Sequence, residues 1–370
     1  MKVFLSIASV SLSYGGPAVS VVALANGLAR AGVEIGLWCP DGSAPSVEAL
    51  PGAESLRLLD GTLEQAMSAF GMPQLVHDNG LWWAHNHQIA RFAAHHGLPR
   101  VVSTRGMLEP WARRHKRVRK SIAWQLYQKR DLLSSKALHA TSDQEARNVE
   151  ALIPGMLVAA IGNGLDLSGE ESVAFAGAAR QAATRQALFL GRIHPVKGLP
   201  LLLRAWHKAA PQAWRLVLAG PDEEGHRALL EAEIARLGLA GVVSFAGPVS
   251  GVAKAQLLGS SHLFVLPSHS ESFGMVVGEA LAHGLPVLTT LNVPWPQLEE
   301  LGCGWRTAGT AEAIAAALGE ASTCDNARLA EMGRRGRALI AEQYGWGKIA
   351  DRFTALYSGL LANPGTPVSA

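Results

Sequence analysis

Residues 266–290 read LPSHSESFGMVVGEALAHGLPVLTT, and the changes of pattern inside this stretch decide the fold. A short apolar run closes at Leu266 and a loop of Ser, His, Glu and Gly follows. Helical spacing then runs over Met275–His283 before a second apolar run at Pro286–Thr289. Apolar strand, helix and apolar strand in that order mark a parallel sheet covered on both faces. Glu271 falls in the loop and Glu279 in the helix, eight positions on. At about 1.5 Å per helical residue the two are at most ~12 Å apart, which approximates the span from a transferred sugar to a ribose across a diphosphate. One carboxylate is then placed for sugar hydroxyls and the other for ribose hydroxyls. The diphosphate would lie at the helix N-terminus near Gly274–Met275, where free N–H groups and the helix dipole favour anions. Taken alone, the spacing fits equally a loop cap and a solvated helix residue.

About 80 residues upstream, residues 188–198 read LFLGRIHPVKG. A strand ends in a tight turn that carries Arg192 and Lys197, and two cations at the C-terminal end of a strand can neutralise a diphosphate leaving group. No DxD occurs in the chain, so no metal is expected to bridge the phosphates and these two cations take that work.

The same alternation extends outward in both directions. The first half has candidate strands at Val3–Ala8, Val33–Cys39, Gln74–His77, Arg100–Thr104, Ala137–Thr141 and Leu157–Ile161. A helix over Pro17–Ala31 has Pro in its first turn and Gly32 past its end, and Ser142 with Glu145 reads as a capping box. The small, polar run Ser168–Arg185 reads as a linker. Beyond it come strands at Ala187–Leu190, Arg215–Ala219, Val242–Phe245, Leu263–Leu266 and Pro286–Thr289, with helices at Leu199–Ala209, Glu223–Leu237 and Lys348–Leu361. A chain of 370 residues is too long for one core, so two Rossmann-like α/β domains are expected: residues 1–167, a linker and second domain over 168–347, and a terminal segment over 348–370 with a frayed tail after Asn363.

Composition excludes several classes. With 48% hydrophobic and 17% charged residues the chain is globular. A net charge of only +3 argues against a dedicated nucleic-acid binder. Cys39, Cys303 and Cys324 lie far apart, so neither a disulfide framework nor a zinc site is indicated, and a reducing cytoplasm is the simplest setting. MKVFLSIASV reads as a first buried strand rather than a leader. No stretch reaches the ~20 uninterrupted apolar residues of a membrane span, so any membrane contact is expected to be peripheral, at the inner face of the cell membrane.

Gly15 and Gly16 follow the first strand and open a helix, so their N–H groups can face a phosphate or an acceptor. Only two glycines are present, and GxGxxG is not matched. This disfavours a nucleotide-dependent oxidoreductase.

In order and spacing these motifs resemble the GT-B retaining glycosyltransferases of family 4 (group 1), in particular those of bacterial surface-polysaccharide type. The resemblance rests on Gly191-Arg192-(x4)-Lys197-Gly198 and Glu271-(x7)-Glu279, with Gly15-Gly16-Pro17, Asn163-Gly164-Leu165-Asp166, Phe245-Ala246-Gly247 and Leu266-Pro267-Ser268. It implies two domains facing across a cleft, the first for the acceptor and the second for the donor, with the last helix crossing back to the first domain. It also implies that Arg192 and Lys197 bind the donor diphosphate and that Glu279 holds the ribose. Glu271, with the backbone of Ser272, Phe273 and Gly274, would hold the donor sugar. Many such proteins place a histidine after the fourth or fifth strand of the first domain. Here Arg105 stands in its place within Arg105-Gly106-Met107-Leu108, followed by Trp111, which resembles a bacterial subgroup. An arginine cannot serve as a base, but it can bind a phosphate, a sugar or an anionic acceptor. His77, in LVHDNG, ends the preceding strand and is a second cleft candidate, with a catalytic and a structural role both open. His95, His96 and His115 are expected in solvent.

Between Pro110 and Arg130 there are eight Lys or Arg and no acid, interleaved with Trp111, Trp124 and Tyr127. Such a stretch suits an anionic membrane surface or a lipid diphosphate acceptor, and contact through 113–130 is expected; a solvated helix face is the plainer alternative. The function expected is transfer of a sugar from a UDP- or GDP-type donor to a hydroxyl of a lipid-linked or surface-polysaccharide glycan, with retention and with no cofactor or metal. A sugar-nucleotide epimerase, an inverting GT-B enzyme and a non-catalytic sugar-nucleotide binder are the alternatives.

Overall fold

A computed structural model describes residues 1–11, 14–48, 52–114, 117–167 and 184–362. The linker expected at Ser168–Arg185 lies outside the described residues except at its last two positions, as do His115, Lys116 and the tail from Asn363. The chain forms two compact units, Met1–Gly164 with the chain from Trp346 onward, and Leu165–Gly345.

Among the described residues the first unit has seven parallel strands: β1 (Lys2–Ile7), β2 (Glu34–Trp38), β3 (Leu56–Leu59), β4 (Leu75–Asn79), β5 (Arg100–Ser103), β6 (Ala137–Ala140) and β7 (Val158–Ala160). Their order is β3-β2-β1-β4-β5-β6-β7, so the direction of winding reverses between β1 and β4. Every residue of β1 after Lys2 is buried, as expected for a strand covered by helices on both faces. Six of the seven strands fall where the apolar runs place them. The seventh, β3, has only Leu56 and Leu59 buried and pairs on one side alone, so its pattern is too short to stand out.

The last helix, Trp346–Ala362, belongs to this first unit and buries Ile349, Ala350, Phe353, Tyr357 and Leu360. Its start is set by Gly164: a Cβ there would meet the Trp346 ring at 2.3 Å, so only glycine lets the indole lie on the backbone. Further along, Tyr357 reaches a line of buried polar groups. Tyr357 Oη is 2.6 Å from His77 Nδ1, His77 Nε2 is 2.6 Å from Ser103 Oγ, Ser103 Oγ is 2.6 Å from His139 Nδ1, and His139 Nε2 is 2.8 Å from the Ile161 carbonyl. A carbonyl can only accept, which puts the proton on His139 Nε2. Each preceding group must then donate onward: Ser103 to His139, His77 to Ser103, and Tyr357 to His77. The line closes with both imidazoles neutral. Burial holds His77 well below its ordinary range and lowers His139 to about 3, with the Arg105 cation adding to both effects.

The second unit has six parallel strands among its described residues: β8 (Arg185–Leu190), β9 (Trp214–Ala219), β10 (Val243–Gly247), β11 (Leu263–Leu266), β12 (Val287–Thr290) and β13 (Gly304–Thr307). Their order is β10-β9-β8-β11-β12-β13, and winding reverses between β8 and β11. The helix Leu199–Ala209 buries Leu199, Leu202, Leu203 and Trp206, the spacing of a single apolar stripe. The sequence reading does not include β13, an edge strand of sequence GWRT with no residue fully buried, nor the helices Ala311–Thr323 and Asn326–Leu339.

Replacing Tyr357 by Phe removes the one donor to His77 Nδ1 and leaves a buried acceptor unpaired. The expected cost is ~1–3 kcal/mol, read as a lower urea midpoint; an unchanged midpoint would show that the hydroxyl does not anchor the last helix.

Candidate active site at the β8 and β11 loops

In an open parallel sheet, ligands are taken up beyond the carboxyl ends of the strands where the winding reverses. In the second unit that position is flanked by the loops after β8 and β11, which carry the two motifs. Their apposition depends on Gly198. Its φ is +67°, and a Cβ would lie 2.2 Å from the Pro267 carbonyl oxygen, so the two loops touch backbone to backbone. The His269 N–H donates to the Val196 carbonyl at 2.8 Å, and Thr290 Oγ1, at the end of β12, donates to the Ser268 carbonyl at 2.6 Å. Held in this way, Lys197 Nζ lies 2.5 Å from Glu271 Oε1, with 13% of each side chain exposed. Ser268 Oγ donates to the same carboxylate oxygen at 2.7 Å.

Glu279 and Arg192 have other partners. Glu279 Oε1 pairs with Lys254 Nζ at 2.7 Å, and its Oε2 is buried with no hydrogen-bond partner among the described residues. A buried carboxylate oxygen without a donor is a costly arrangement. Lys254 is not singled out by the sequence, because nothing local distinguishes it from any other lysine on a surface helix. Arg192 makes two bonds to Glu223, at 2.8 and 2.6 Å, with both side chains well exposed. The Phe273 side chain turns inward, its ring 5.1 Å from that of Trp295 and 5.8 Å from that of Tyr344. Its carbonyl accepts from Trp295 Nε1 at 2.6 Å. Only the backbone of Ser272–Gly274 is therefore available to a ligand at Phe273. Gly274 caps the helix Met275–Ala282, whose first N–H groups have no intrahelical acceptor.

In the first unit Arg105 follows β5 with φ +49°, a left-handed conformation unusual for a residue with a side chain. Glu145 holds it there. Its Oε1 accepts from Thr104 Oγ1 and the Gly106 N–H, each at 2.5 Å, and its Oε2 accepts from the Thr141 N–H and Oγ1, each at 2.7 Å. The expected capping box is thus only half made. Ser142 accepts from the Glu145 N–H, but the glutamate side chain is drawn to the Arg105 turn instead. Four of the five Arg105 N–H groups go to Asn79, Asn163 and Ser20. Burial lowers the guanidinium to about 10, so it remains a cation at neutral pH. Gly15 and Gly16 open the helix Gly16–Arg30, and a Cβ at either would meet nothing within 4 Å. His77 is corrected by the structure: it is fully buried, and both ring nitrogens are bonded inside the core, so neither is available to a substrate.

Beside the Arg105 turn, Glu109 accepts from Asn148 Nδ2 at 2.8 Å. Burial, with the Glu145 charge adding to it, raises Glu109 from 4.5 to about 7. The unfolded chain therefore loses this proton at lower pH than the folded chain does. Stability should fall as pH rises through that window. Glu109→Gln is expected to flatten this part of the pH–stability curve and to raise the midpoint above it; an unaltered curve would contradict the assignment.

The chain is a two-domain protein of the GT-B fold. Residues 14–168 match the Glycosyltransferase Family 4 domain and residues 175–338 the Glycosyl transferases group 1 domain. The D-inositol 3-phosphate glycosyltransferase of Gordonia bronchialis is 34% identical over 188 residues, 46% of this chain and 39% of that one, so the chain spans about two fifths of the length of that relative. The GDP-mannose:cellobiosyl-diphosphopolyprenol alpha-mannosyltransferase of Xanthomonas campestris is 27% identical over 310 residues, covering 81% of this chain and 78% of that one. Among solved structures, Anabaena HepE in complex with UDP and glucose superposes with a TM-score of 0.75 at 20% identity, over 97% of this chain and 100% of that one.

Proposed function

We propose that the protein is a retaining glycosyltransferase that moves a sugar from a nucleoside diphosphate sugar to a hydroxyl of a glycan acceptor without a metal ion. The observation that carries this reading is the Lys197–Glu271 pair at 2.5 Å, in the loops beyond β8 and β11. An ammonium beside a carboxylate offers a diphosphate its counter-charge and a sugar its hydroxyl acceptor within one small volume. The unpaired Glu279 Oε2 would take a ribose hydroxyl. Arg192 would leave Glu223 for the diphosphate. An exposed ion pair is worth only ~0–1 kcal/mol, and a two-pronged bond to phosphate is stronger. The N–H groups of Ser272–Met275 would complete the phosphate site. Arg105 and the Gly15–Gly16 turn would face an acceptor, while His77 has no part in the reacting set.

Both carboxylates are suited to holding hydroxyls, so we assign neither as a nucleophile. The acceptor oxygen would attack the anomeric carbon on the face the diphosphate leaves, the bond to the diphosphate oxygen would break, and that oxygen would take the acceptor's proton. Orientation and charge stabilisation then supply the rate. The relatives named above refer to an inositol phosphate and to a diphosphopolyprenol-linked glycan, which supports an acceptor bearing phosphate, lipid-linked or part of a surface polysaccharide. With the basic stretch at 113–130, this favours work at the inner face of a membrane. Among the described residues no helix is long and apolar enough to cross one.

The protein should be stabilised by UDP or GDP and by the cognate sugar nucleotide, by ~2.7 kcal/mol when the ligand is at 100 times its dissociation constant. Thermal shift against UDP, GDP, ADP and their sugars measures this, and no shift with any of them would refute the reading. Lys197→Ala and Glu271→Ala should each lower kcat by ~100–1,000-fold with little change in melting temperature. Wild-type turnover in either variant would dismiss the site, and release of a free sugar isomer without acceptor would identify an epimerase instead.

A further inference from the structure

The loop 272–274 is backed by a second loop, residues 291–296, which follows β12 and lies outside the sequence motifs. Its backbone is tied down along its length. The Leu291 N–H donates to the Thr307 carbonyl of β13 at 2.8 Å, and the N–H groups of Val293 and Trp295 close turns on the carbonyls of Thr290 and Val293 at 3.1 and 2.8 Å. The Glu271 N–H reaches across to the Asn292 carbonyl at 3.3 Å. Trp295 is fully buried, its ring centre 5.1 Å from that of Phe273 and 5.0 Å from that of Tyr344. A buried indole needs an acceptor for its N–H. Here the acceptor is the Phe273 carbonyl, at 2.6 Å.

That bond sets the direction of a second group. Among the described residues no peptide bond is cis, and in a planar trans peptide the C=O and the following N–H point in opposite directions. With the Phe273 oxygen turned onto the indole, the Gly274 N–H is turned away from it. No acceptor among the described residues takes that N–H. Gly274 caps the helix Met275–Ala282, so its N–H comes just before the first N–H groups of the helix, which have no intrahelical acceptor either. Gly274 is three positions from Glu271 and five from Glu279. It thus falls toward the sugar end of a diphosphate laid between the two carboxylates.

We propose that Trp295 is a positioning residue of the donor site: its indole N–H holds the Phe273–Gly274 peptide so that the Gly274 N–H meets the phosphate joined to the sugar. Trp295 itself touches no substrate. Without the indole N–H the Phe273 carbonyl is left unpaired among aromatic rings, a costly state. Turning the peptide over to find another donor relieves that cost and withdraws the Gly274 N–H from the phosphate. The proposal deepens the reading given under the proposed function and rests on the diphosphate lying where that reading puts it.

The test removes the N–H and keeps the rings. In the full chain Trp295 is replaced by 3-benzothienylalanine, which has two fused rings and a sulfur in place of the N–H, and in a second variant, Trp295→Phe, by a smaller ring. Calorimetric titration with UMP, UDP, GMP and GDP gives the ratio of diphosphate to monophosphate affinity, for whichever base the wild-type protein takes. Loss of one hydrogen bond to a charged phosphate should weaken diphosphate binding roughly tenfold. Monophosphate binding should be unchanged in the benzothienyl form, so the ratio falls by the same factor. Should that form not fold, the ratio is read from Trp295→Phe. A ratio equal to that of the wild-type protein, whether both affinities drop together or neither does, would make Trp295 a packing residue and overturn the proposal. Failure of the wild-type protein to bind any of the four nucleotides would instead overturn the donor reading itself, before any variant is compared.

Discussion

The second unit depends on one close approach, that of Gly198 to the carbonyl of Pro267. Two loops that are far apart in the chain follow the strands at which the sheet reverses its winding. Only a residue without a Cβ, in a left-handed conformation, lets them meet there. From that contact come the bond of His269 to Val196, the orientation of the Lys197 side chain, and the ion pair to Glu271 that Ser268 completes. A larger residue at 198 would separate the loops, and a cation and a carboxylate that are useful only together would act apart. The Gly198 contact belongs to the backbone, and the chemistry follows from it.

The first unit is organised around a different constraint. Its last helix is held by apolar burial and by a line of four hydrogen bonds that runs from Tyr357 to the Ile161 carbonyl. Because the line ends on a group that can only accept, every proton in it has one position, and neither imidazole can charge without breaking it. His77 is therefore a structural residue. One cation of this unit, Arg105, stands in a strained turn supported by the bonds that Glu145 accepts. Glu145 illustrates how a side chain suited to one local role is taken by a stronger non-local one. A helix cap satisfies one N–H, whereas Glu145 at the Arg105 turn satisfies four donors.

Charge around the loops after β8 and β11 is balanced: Lys197 pairs with Glu271, Arg192 with Glu223 and Lys254 with Glu279.

By itself the sequence determined the alternation of strands and helices, because strands buried on both faces must be apolar throughout and amphipathic helices must repeat near every fourth residue. It also placed Arg192, Lys197, Glu271 and Glu279 in loops and a helix start that follow apolar runs. The edge strands β3 and β13 escaped it, since a strand paired on one side and half in solvent needs no apolar run. Pairing was decided only by the tertiary structure: Lys197 with Glu271, Glu279 with Lys254, Arg192 with Glu223, and His77 with Ser103 and Tyr357. The last of these joins residues 280 positions apart. Local pattern records how each residue meets the solvent, whereas the partner of a buried polar atom is set by which strands and helices the topology brings alongside.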